Sequence, residues 1–343
     1  MEELRWAGSR VAGRAPCLAA PRAGGSRGRP ARARTPGVGH HRHVASVQAR
    51  LIDRLIRRLH LFGEDGADIG VLRERIERFG GAGPPRRGVA IRPVVAGGVP
   101  AERVIPRDTP RDRCLLYLHG GAWCMGSPRT HRRLVADLAH GAGVRALSVD
   151  YRLAPEHPYP AGLDDCVAAY GWLLERRVDP SRIVVAGDSA GGNLALALLL
   201  RLRDAGIPLP AGAVLLSPVT DLALTGGSHV TRKAVDPYFA NVGLKPFIKE
   251  YVGAHDVREP YISLLYADLR GLPPLLIHVG DHEVLRDDSV RLGERAVTAG
   301  VDARTVVWPG MMHVFQMFAP FLPEARRANR EIAEFVRARI GGG

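Results

Sequence analysis

Apolar residues follow two different patterns, one before and one after residue 89. Between residues 44 and 79 they recur at helical spacing, which predicts an amphipathic helix over 44–62 and a second over 68–79. The Gly/Pro-rich stretch "GGAGPP" comes next and is typical of a linker. From residue 89 onward, short apolar runs end at turn residues and are separated by helical stretches.

These runs predict six strands, over 114–121, 144–151, 182–189, 212–218, 274–281 and 303–310. Helices are predicted between and after them, over 129–140, 164–176, 189–204, 287–299 and 324–339. Apolar strands that alternate with helices are buried on both faces, so the pattern predicts an α/β fold with a mostly parallel sheet and helices on both faces. Ligands of such sheets bind beyond the carboxyl ends of the strands.

Residues 220–262 interrupt this alternation, and "DPYFANVGLKPFIKEY" within them has the pattern of a helix. An insertion of this size directly after a strand is a candidate lid over a ligand site.

The net charge of +13 is concentrated in the N-terminal segment. Residues 1–43 contain nine Arg and two Glu, have almost no apolar periodicity, and are predicted to be a disordered tail before a single domain over 44–343. The remaining residues contain no basic block interleaved with aromatic residues, which argues against nucleic-acid binding.

The four cysteines, at positions 17, 114, 124 and 166, form no CxxC pair and no zinc-ligand spacing. We therefore expect reduced thiols, a cytoplasmic location and no bound metal. No apolar stretch reaches the 18 to 20 residues of a membrane span, and no secretory signal is apparent.

The stretch "VVAGDSAGGN" (184–193) brings an apolar strand into a serine surrounded by small residues. In the pattern G-x-S-x-G between a strand and a helix, small neighbours permit a sharp turn that exposes the serine hydroxyl as a nucleophile. Ser189 could also be an ordinary helix N-cap, with glycines present for packing. The pentapeptide alone leaves both interpretations open.

A second glycine-rich stretch, "YLHGGAW" (117–123), ends another predicted strand. Adjacent glycines let backbone N–H groups converge on one point, as a developing oxyanion requires. The N–H groups of Gly121, Ala122 and Ala190 are the expected donors. A turn around a structural His119 is the alternative.

A nucleophilic serine needs a histidine base and an acid that orients it, in the hydrolase order Ser, acid, His. His313, in "WPGMMHVF" after the last strand, occupies the position of the base. The loop after the preceding strand offers Asp281, Glu283, Asp287 and Asp288. Spacing alone does not choose among these acids.

Together the motifs resemble the hormone-sensitive-lipase-like (bacterial family IV) carboxylesterases of the α/β-hydrolase superfamily, over about residues 44–340. The resemblance rests on "HGGAW", "DYRLAPEHPYPAGLDD", "GDSAGGN", "LSPVTDL", "GLPPLLIHVGDHEVLRDD" and "WPGMMHVF". The family acid lies two residues before a Leu and four before an Asp, which places Glu283 there, with Asp281 as the second choice. Ala122 replaces the family's third oxyanion glycine.

The resemblance implies a serine esterase that acts on short- to medium-chain acyl esters through an acyl-enzyme, without cofactor or metal. It also implies a cap formed by 44–80 and 220–262, and a homodimer through the last strand and C-terminal helix. A lactone hydrolase of the monoterpene ε-lactone type, or an N-deacetylase, would use the same residues. A non-catalytic binding protein such as the plant gibberellin receptors is disfavoured, because these lose the histidine that His313 retains.

Overall fold

Strands and helices alternate along the chain in a computed structural model that describes residues 38–40, 45–60, 63, 67–80 and 86–341. The strands are β1 Val38–His40, β2 Val89–Ala96, β3 Val99–Pro106, β4 Cys114–Leu118, β5 Arg145–Val149, β6 Ile183–Asp188, β7 Gly212–Leu216, β8 Leu275–Gly280 and β9 Ala303–Trp308. The α-helices are α1 Val47–Leu59, α2 Ile69–Gly80, α3 Pro128–Ala142, α4 Ala161–Glu175, α5 Ala190–Asp204, α6 Ser228–Thr231, α7 Lys245–Val252, α8 Arg286–Thr298 and α9 Pro323–Ile340. All six predicted strands are present.

Within the described ranges, the strands form one nine-stranded sheet in the order β1-β9-β8-β7-β6-β4-β5-β3-β2. Each pair of neighbours in the series β1-β9-β8-β7-β6-β4-β5 is parallel. The pairings of β3 with β5 and of β3 with β2 are antiparallel. This confirms the predicted α/β-hydrolase fold with a mostly parallel sheet.

Helices cover both faces of the sheet, so every residue of the central strands β4, β6 and β7 is buried. Side chains of β4 alternate between two cores, with Leu116 and Leu118 on one face and Leu115 and Tyr117 on the other. This arrangement brings the carboxyl ends of the central strands to one edge of the sheet.

The antiparallel pair β2 and β3 is absent from the sequence prediction. β2 lies at the sheet edge and is only partly buried, so its residues, Arg92 and Pro93 among them, form no continuous apolar run. The signal that could have revealed the hairpin is the pair Gly97-Gly98, which joins the strands with φ values of 61° and 85°.

β1 corrects the boundary of the predicted N-terminal tail. Val38–His40 lie inside 1–43 but pair in parallel with β9, Val38 opposite Thr305. Pairing of backbone groups at a sheet edge needs no apolar pattern, which is why the sequence shows no sign of this strand. The other residues of the predicted tail lie outside the described residues.

The segment 220–262 is less helical than predicted. Its helices are α6 and α7, whereas 236–244 is irregular because the Asp236 carboxylate accepts the backbone N–H groups of Tyr238 and Phe239. Arg57 of α1 donates to the carbonyl of Val235 at 2.6 Å and so ties this segment to the N-terminal helices. Over the part of the chain described, no helix combines the length and the apolar character needed to cross a bilayer.

Candidate active site

Ser189 lies on a strained turn between β6 and α5. Its φ of 53° and ψ of −120° are backbone values that a residue with a side chain rarely adopts, and such strain is concentrated at functional sites. The serine precedes α5, but its side chain makes no capping hydrogen bond to the helix. The geometry therefore disfavours the helix-cap interpretation and fits a serine held out of the chain by a sharp turn.

The small residues beside Ser189 are required by the close approach of backbone. A Cβ atom on Gly187 would lie 2.2 Å from the carbonyl oxygen of Gly191. One on Gly191 would lie 2.1 Å from the carbonyl oxygen of Leu118, at the end of β4. Glycine lets the turn sit directly against the neighbouring strand.

Replacing Gly191 with alanine is expected to destabilise the protein. The added methyl group meets backbone atoms of β4, so α5 must move away at a cost of about 1–3 kcal/mol in the free energy of unfolding. Gly171→Ala in α4 is the matched control, because nothing lies within 4 Å of its Cβ position and alanine favours a helix. Thermal unfolding of the two variants measures the difference; equal melting temperatures would contradict the steric argument.

His313 and Glu283 form a buried pair at the ends of two neighbouring strands. Nδ1 of His313, after β9, lies 2.7 Å from Oε2 of Glu283, after β8. The other carboxylate oxygen accepts the Ser217 hydroxyl at 2.9 Å and the N–H of Gly280. With Nδ1 donating its proton to the carboxylate, Nε2 of His313 is left as the acceptor.

Ser217 connects the pair to the serine turn. It follows β7, the strand between β6 and β8, and its neighbour Leu216 accepts the N–H of Ser189 at 2.8 Å. The Ser217 hydroxyl oxygen also accepts a hydrogen bond from the N–H of Val314 at 3.4 Å. Sequence reasoning missed Ser217; its place at the end of the strand in "LSPVTDL" was the available signal.

The structure distinguishes the acids that spacing left open. Asp281 lies 3.1 Å from Arg232 and 3.3 Å from Arg286, in a partly exposed ion-pair cluster. Asp287 and Asp288 hold segment 220–262, accepting the N–H groups of Ser228 and Thr220 respectively. Of these four acids, Glu283 is the one hydrogen-bonded to His313.

The electrostatics of two buried histidines differ sharply. Burial lowers the pKa of His119 to about 3, so its ring, stacked on Tyr151 at 4.2 Å, stays neutral. Burial acts in the same direction on His313, but its hydrogen bond to Glu283 and the charges of Glu283, Asp236 and Asp188 outweigh it and raise the pKa. Of the two, His313 has the surroundings that stabilise an imidazolium.

Gly121 and Ala122 lie in the loop after β4, and Ala190 follows the end of β6, the strand paired with β4. Gly121 and Ala122 have positive φ values of 125° and 52°, and a Cβ on Gly121 would lie 2.1 Å from the carbonyl oxygen of Met125. The Gly121 carbonyl accepts N–H groups from Cys124 and Met125, which folds this loop back on itself. Ala190 is the first residue of α5, where the backbone N–H has no partner within the helix.

Asp188 joins the glycine-rich loop to the serine turn. This buried carboxylate, next to Ser189, accepts the N–H of Gly120 at 3.1 Å and the hydroxyl of Tyr117 at 2.7 Å. Burial favours its neutral form, but the charge and hydrogen bond of His131 and the bond from Tyr117 lower the pKa of Asp188 overall. No role for Asp188 was predicted from the sequence, although its position inside "GDSAG" was an available signal.

Aromatic residues pack on the glycine-rich loop and on His313. Trp123 stacks on Tyr251 of α7 with ring centroids 4.4 Å apart, and Phe239 contacts the His313 ring edge-on at 5.4 Å. Ser189 is only 6% exposed. Among the described residues, no three His, Cys, Asp or Glu side chains cluster as metal ligands would.

The chain is similar to known proteins of one fold family. The profile of an α/β-hydrolase-fold family matches residues 115–317. An acetyl-hydrolase of Streptomyces hygroscopicus is 46% identical over 267 residues, 78% of this chain and 88% of that protein. An esterase of Acinetobacter venetianus is 41% identical over 74% of this chain and 83% of its own length.

A solved structure of an esterase from the bacterial hormone-sensitive lipase family superposes with a TM-score of 0.83 at 43% identity, covering 87% of this chain and all of that one. Identity and coverage of this extent go beyond a shared fold. The chain is therefore a hydrolase and belongs to the hormone-sensitive-lipase-like carboxylesterases of the α/β-hydrolase superfamily.

Proposed function

We propose that this enzyme hydrolyses carboxylic esters of short- to medium-chain acids through a covalent acyl-enzyme on Ser189. The observation that carries the proposal is the buried His313–Glu283 pair, which is linked through Ser217 and Leu216 to a serine on a strained turn. Relatives named as an acetyl-hydrolase and as esterases support the same substrate class.

In the acylation step, Nε2 of His313 removes the proton from Ser189 as its oxygen attacks the ester carbonyl. In this mechanism the tetrahedral oxyanion accepts hydrogen bonds from the backbone N–H groups of Gly121, Ala122 and Ala190, and fixed backbone donors stabilise such a charge without reorganisation. The imidazolium is stabilised by Glu283 through Nδ1. Protonation of the leaving alcohol by His313 completes the acyl-enzyme.

Deacylation repeats these roles with water as the nucleophile. His313 removes a proton from the water as it attacks the acyl carbon, and the same three N–H groups receive the oxyanion. Ser189 then leaves with the proton that His313 returns. The ester is thus converted to acid and alcohol, and the residues return to their starting state.

Segments 44–80 and 220–262 form the cap over the acyl site in this proposal. Its support is direct contact with the loops of the site: Arg73 of α2 donates to the Cys124 carbonyl at 2.6 Å, and Tyr251 of α7 stacks on Trp123. The cap, together with the rings packed on His313 and on Trp123, restricts the room for a long acyl chain in this proposal.

Hydrolysis of p-nitrophenyl acetate, butyrate, octanoate and palmitate tests the proposed substrate class. We expect kcat/KM to be highest with the acetate and butyrate esters and at least roughly tenfold lower with palmitate, because a long chain loses favourable contacts or displaces the cap. A maximum at palmitate would overturn the chain-length proposal. If the protein hydrolyses a lactone but none of the four p-nitrophenyl esters, the proposed activity on acyl esters is overturned.

A further inference from the structure

A second buried carboxylate, Asp236, lies close to the His313–Glu283 pair and has no role in the steps above. It follows α6, in the irregular stretch 236–244, and is fully buried. Isolated ionised groups are costly to bury, so a buried carboxylate needs either several donors or a functional reason. Asp236 has both.

One oxygen of Asp236 binds the loop that carries Glu283. Oδ2 accepts the N–H of Val284 at 2.8 Å. Val284 is the residue directly after Glu283, so this bond restrains the backbone from which the Glu283 carboxylate reaches His313.

The other oxygen of Asp236 places two aromatic rings against the imidazole. Oδ1 accepts the N–H groups of Tyr238 and Phe239 at 2.8 and 3.1 Å. The rings of these two residues meet His313 edge-on, with centroid distances of 5.9 and 5.4 Å. Asp236 therefore restrains both the partner of His313 and its packing.

The charges around this cluster come from several elements. The charge of Asp236 acts on His313, which lies in the loop after β9, and on Glu283, which lies in the loop after β8. The charge of Asp188, at the end of β6, also acts on His313. On its own segment, Arg232 pairs with Asp281, and Arg57 of α1 binds the neighbouring carbonyls of Ala234 and Val235. Burial raises the pKa of Asp236 to about 6, aided by Glu283 and opposed by His313, so Asp236 is ionised above that pH.

We propose that Asp236 is a positioning residue that anchors the Glu283 loop and adds a second negative charge in the field of the His313 imidazolium. The inference rests on the proposed function of His313 as the base. Its consequence is that two carboxylates set the pH at which the imidazole can accept a proton: Glu283, which contacts His313, and Asp236, which binds the Glu283 loop.

Asp236→Asn tests the proposal, because asparagine keeps the size of the side chain but removes its charge and one acceptor. His313 must be neutral to act as a base, so kcat/KM decreases at pH values below the pKa of His313. Loss of a nearby negative charge lowers that pKa. We expect the acidic limb of the kcat/KM profile to move to lower pH by roughly one unit. We also expect kcat at pH 8 to fall roughly tenfold, with a smaller change in KM.

The His313 Nδ1–H proton resonance supplies a reading that does not depend on turnover. The midpoint of its titration by NMR should shift to lower pH in Asp236→Asn, by the same amount as the acidic limb of the kcat/KM profile. Asp165→Asn is the matched control: Asp165 is buried, accepts the N–H of Arg152 at 2.8 Å and pairs with that side chain rather than with His313 or Glu283. It should lower the melting temperature and leave both pH readings unchanged.

The outcomes separate the two proposals. Unchanged kinetic and NMR titrations in a folded Asp236→Asn variant, or the same shift in Asp165→Asn, would overturn the role of Asp236 while leaving ester hydrolysis intact. A wild-type protein without esterase activity would overturn the proposed function, and the NMR titration would still decide the charge effect. If the asparagine variant does not fold, Asp236→Ser, which is smaller and keeps an acceptor, is measured in the same way.

Discussion

Replacing Ser189 with alanine is expected to abolish ester hydrolysis without unfolding the protein. The nucleophile has no substitute in the proposed mechanism, so kcat should fall by roughly 10⁵- to 10⁶-fold, as when the nucleophile of other serine hydrolases is removed. The fold should persist because the Ser189 side chain makes no capping bond to α5, and alanine occupies no more space. Rates with p-nitrophenyl butyrate, together with thermal unfolding, measure both effects.

Ser148→Ala is the matched control for this experiment. Ser148 is a buried serine on β5 whose hydroxyl has no hydrogen-bond partner within the described chain, so its removal should leave activity and melting temperature nearly unchanged. More than a few per cent of wild-type activity in Ser189→Ala would exclude the acyl-enzyme on this residue.

Replacing Glu283 with glutamine should be the second most damaging change, lowering kcat by roughly 10³- to 10⁴-fold. The two carboxylate oxygens accept from His313 Nδ1, from the Ser217 hydroxyl and from the Gly280 N–H. Glutamine has a single acceptor oxygen. Its amide group would either face the N–H of Gly280 or face Nδ1 of His313 and stabilise the wrong tautomer.

Asp281→Asn distinguishes the acid assignment from a general effect of charge. Asp281 belongs to a partly exposed cluster with Arg232 and Arg286, and such surface pairs contribute about 0–1 kcal/mol. We expect kcat within a factor of about three of wild type. The reverse result, with Asp281→Asn inactive and Glu283→Gln active, would move the acid to Asp281.

Elements with strong local signals were predicted well. The strands that form the centre of the sheet are short apolar runs buried on both faces, and the structure confirms all six of them. Elements stabilised by backbone pairing or by a single polar side chain were missed. β1 and β2 lie at the edges of the sheet, and Asp236 keeps the first part of the predicted helix irregular by accepting nearby N–H groups.

The residues of the candidate site also differ in how far the sequence predicts them. "GDSAG" and "HGGAW" place Ser189, Gly121 and Ala122 from sequence, because a sharp turn against a neighbouring strand tolerates only small residues, and this is a local steric requirement. The position of His313 after the last strand follows from chain order alone.

The sequence by itself determined the fold class, the serine turn and the glycine-rich loop, since each depends on residues adjacent in the chain. Spacing left four acids open and the family resemblance favoured Glu283, but only the tertiary structure showed that Glu283 contacts His313, that Ser217 binds this carboxylate, and that Asp236 binds the next residue of its loop. Their contacts join residues 30 to 66 positions apart, and the packing of separate strand ends sets these distances. A local pattern of polar and apolar residues does not predict the distance between residues that lie this far apart in the chain.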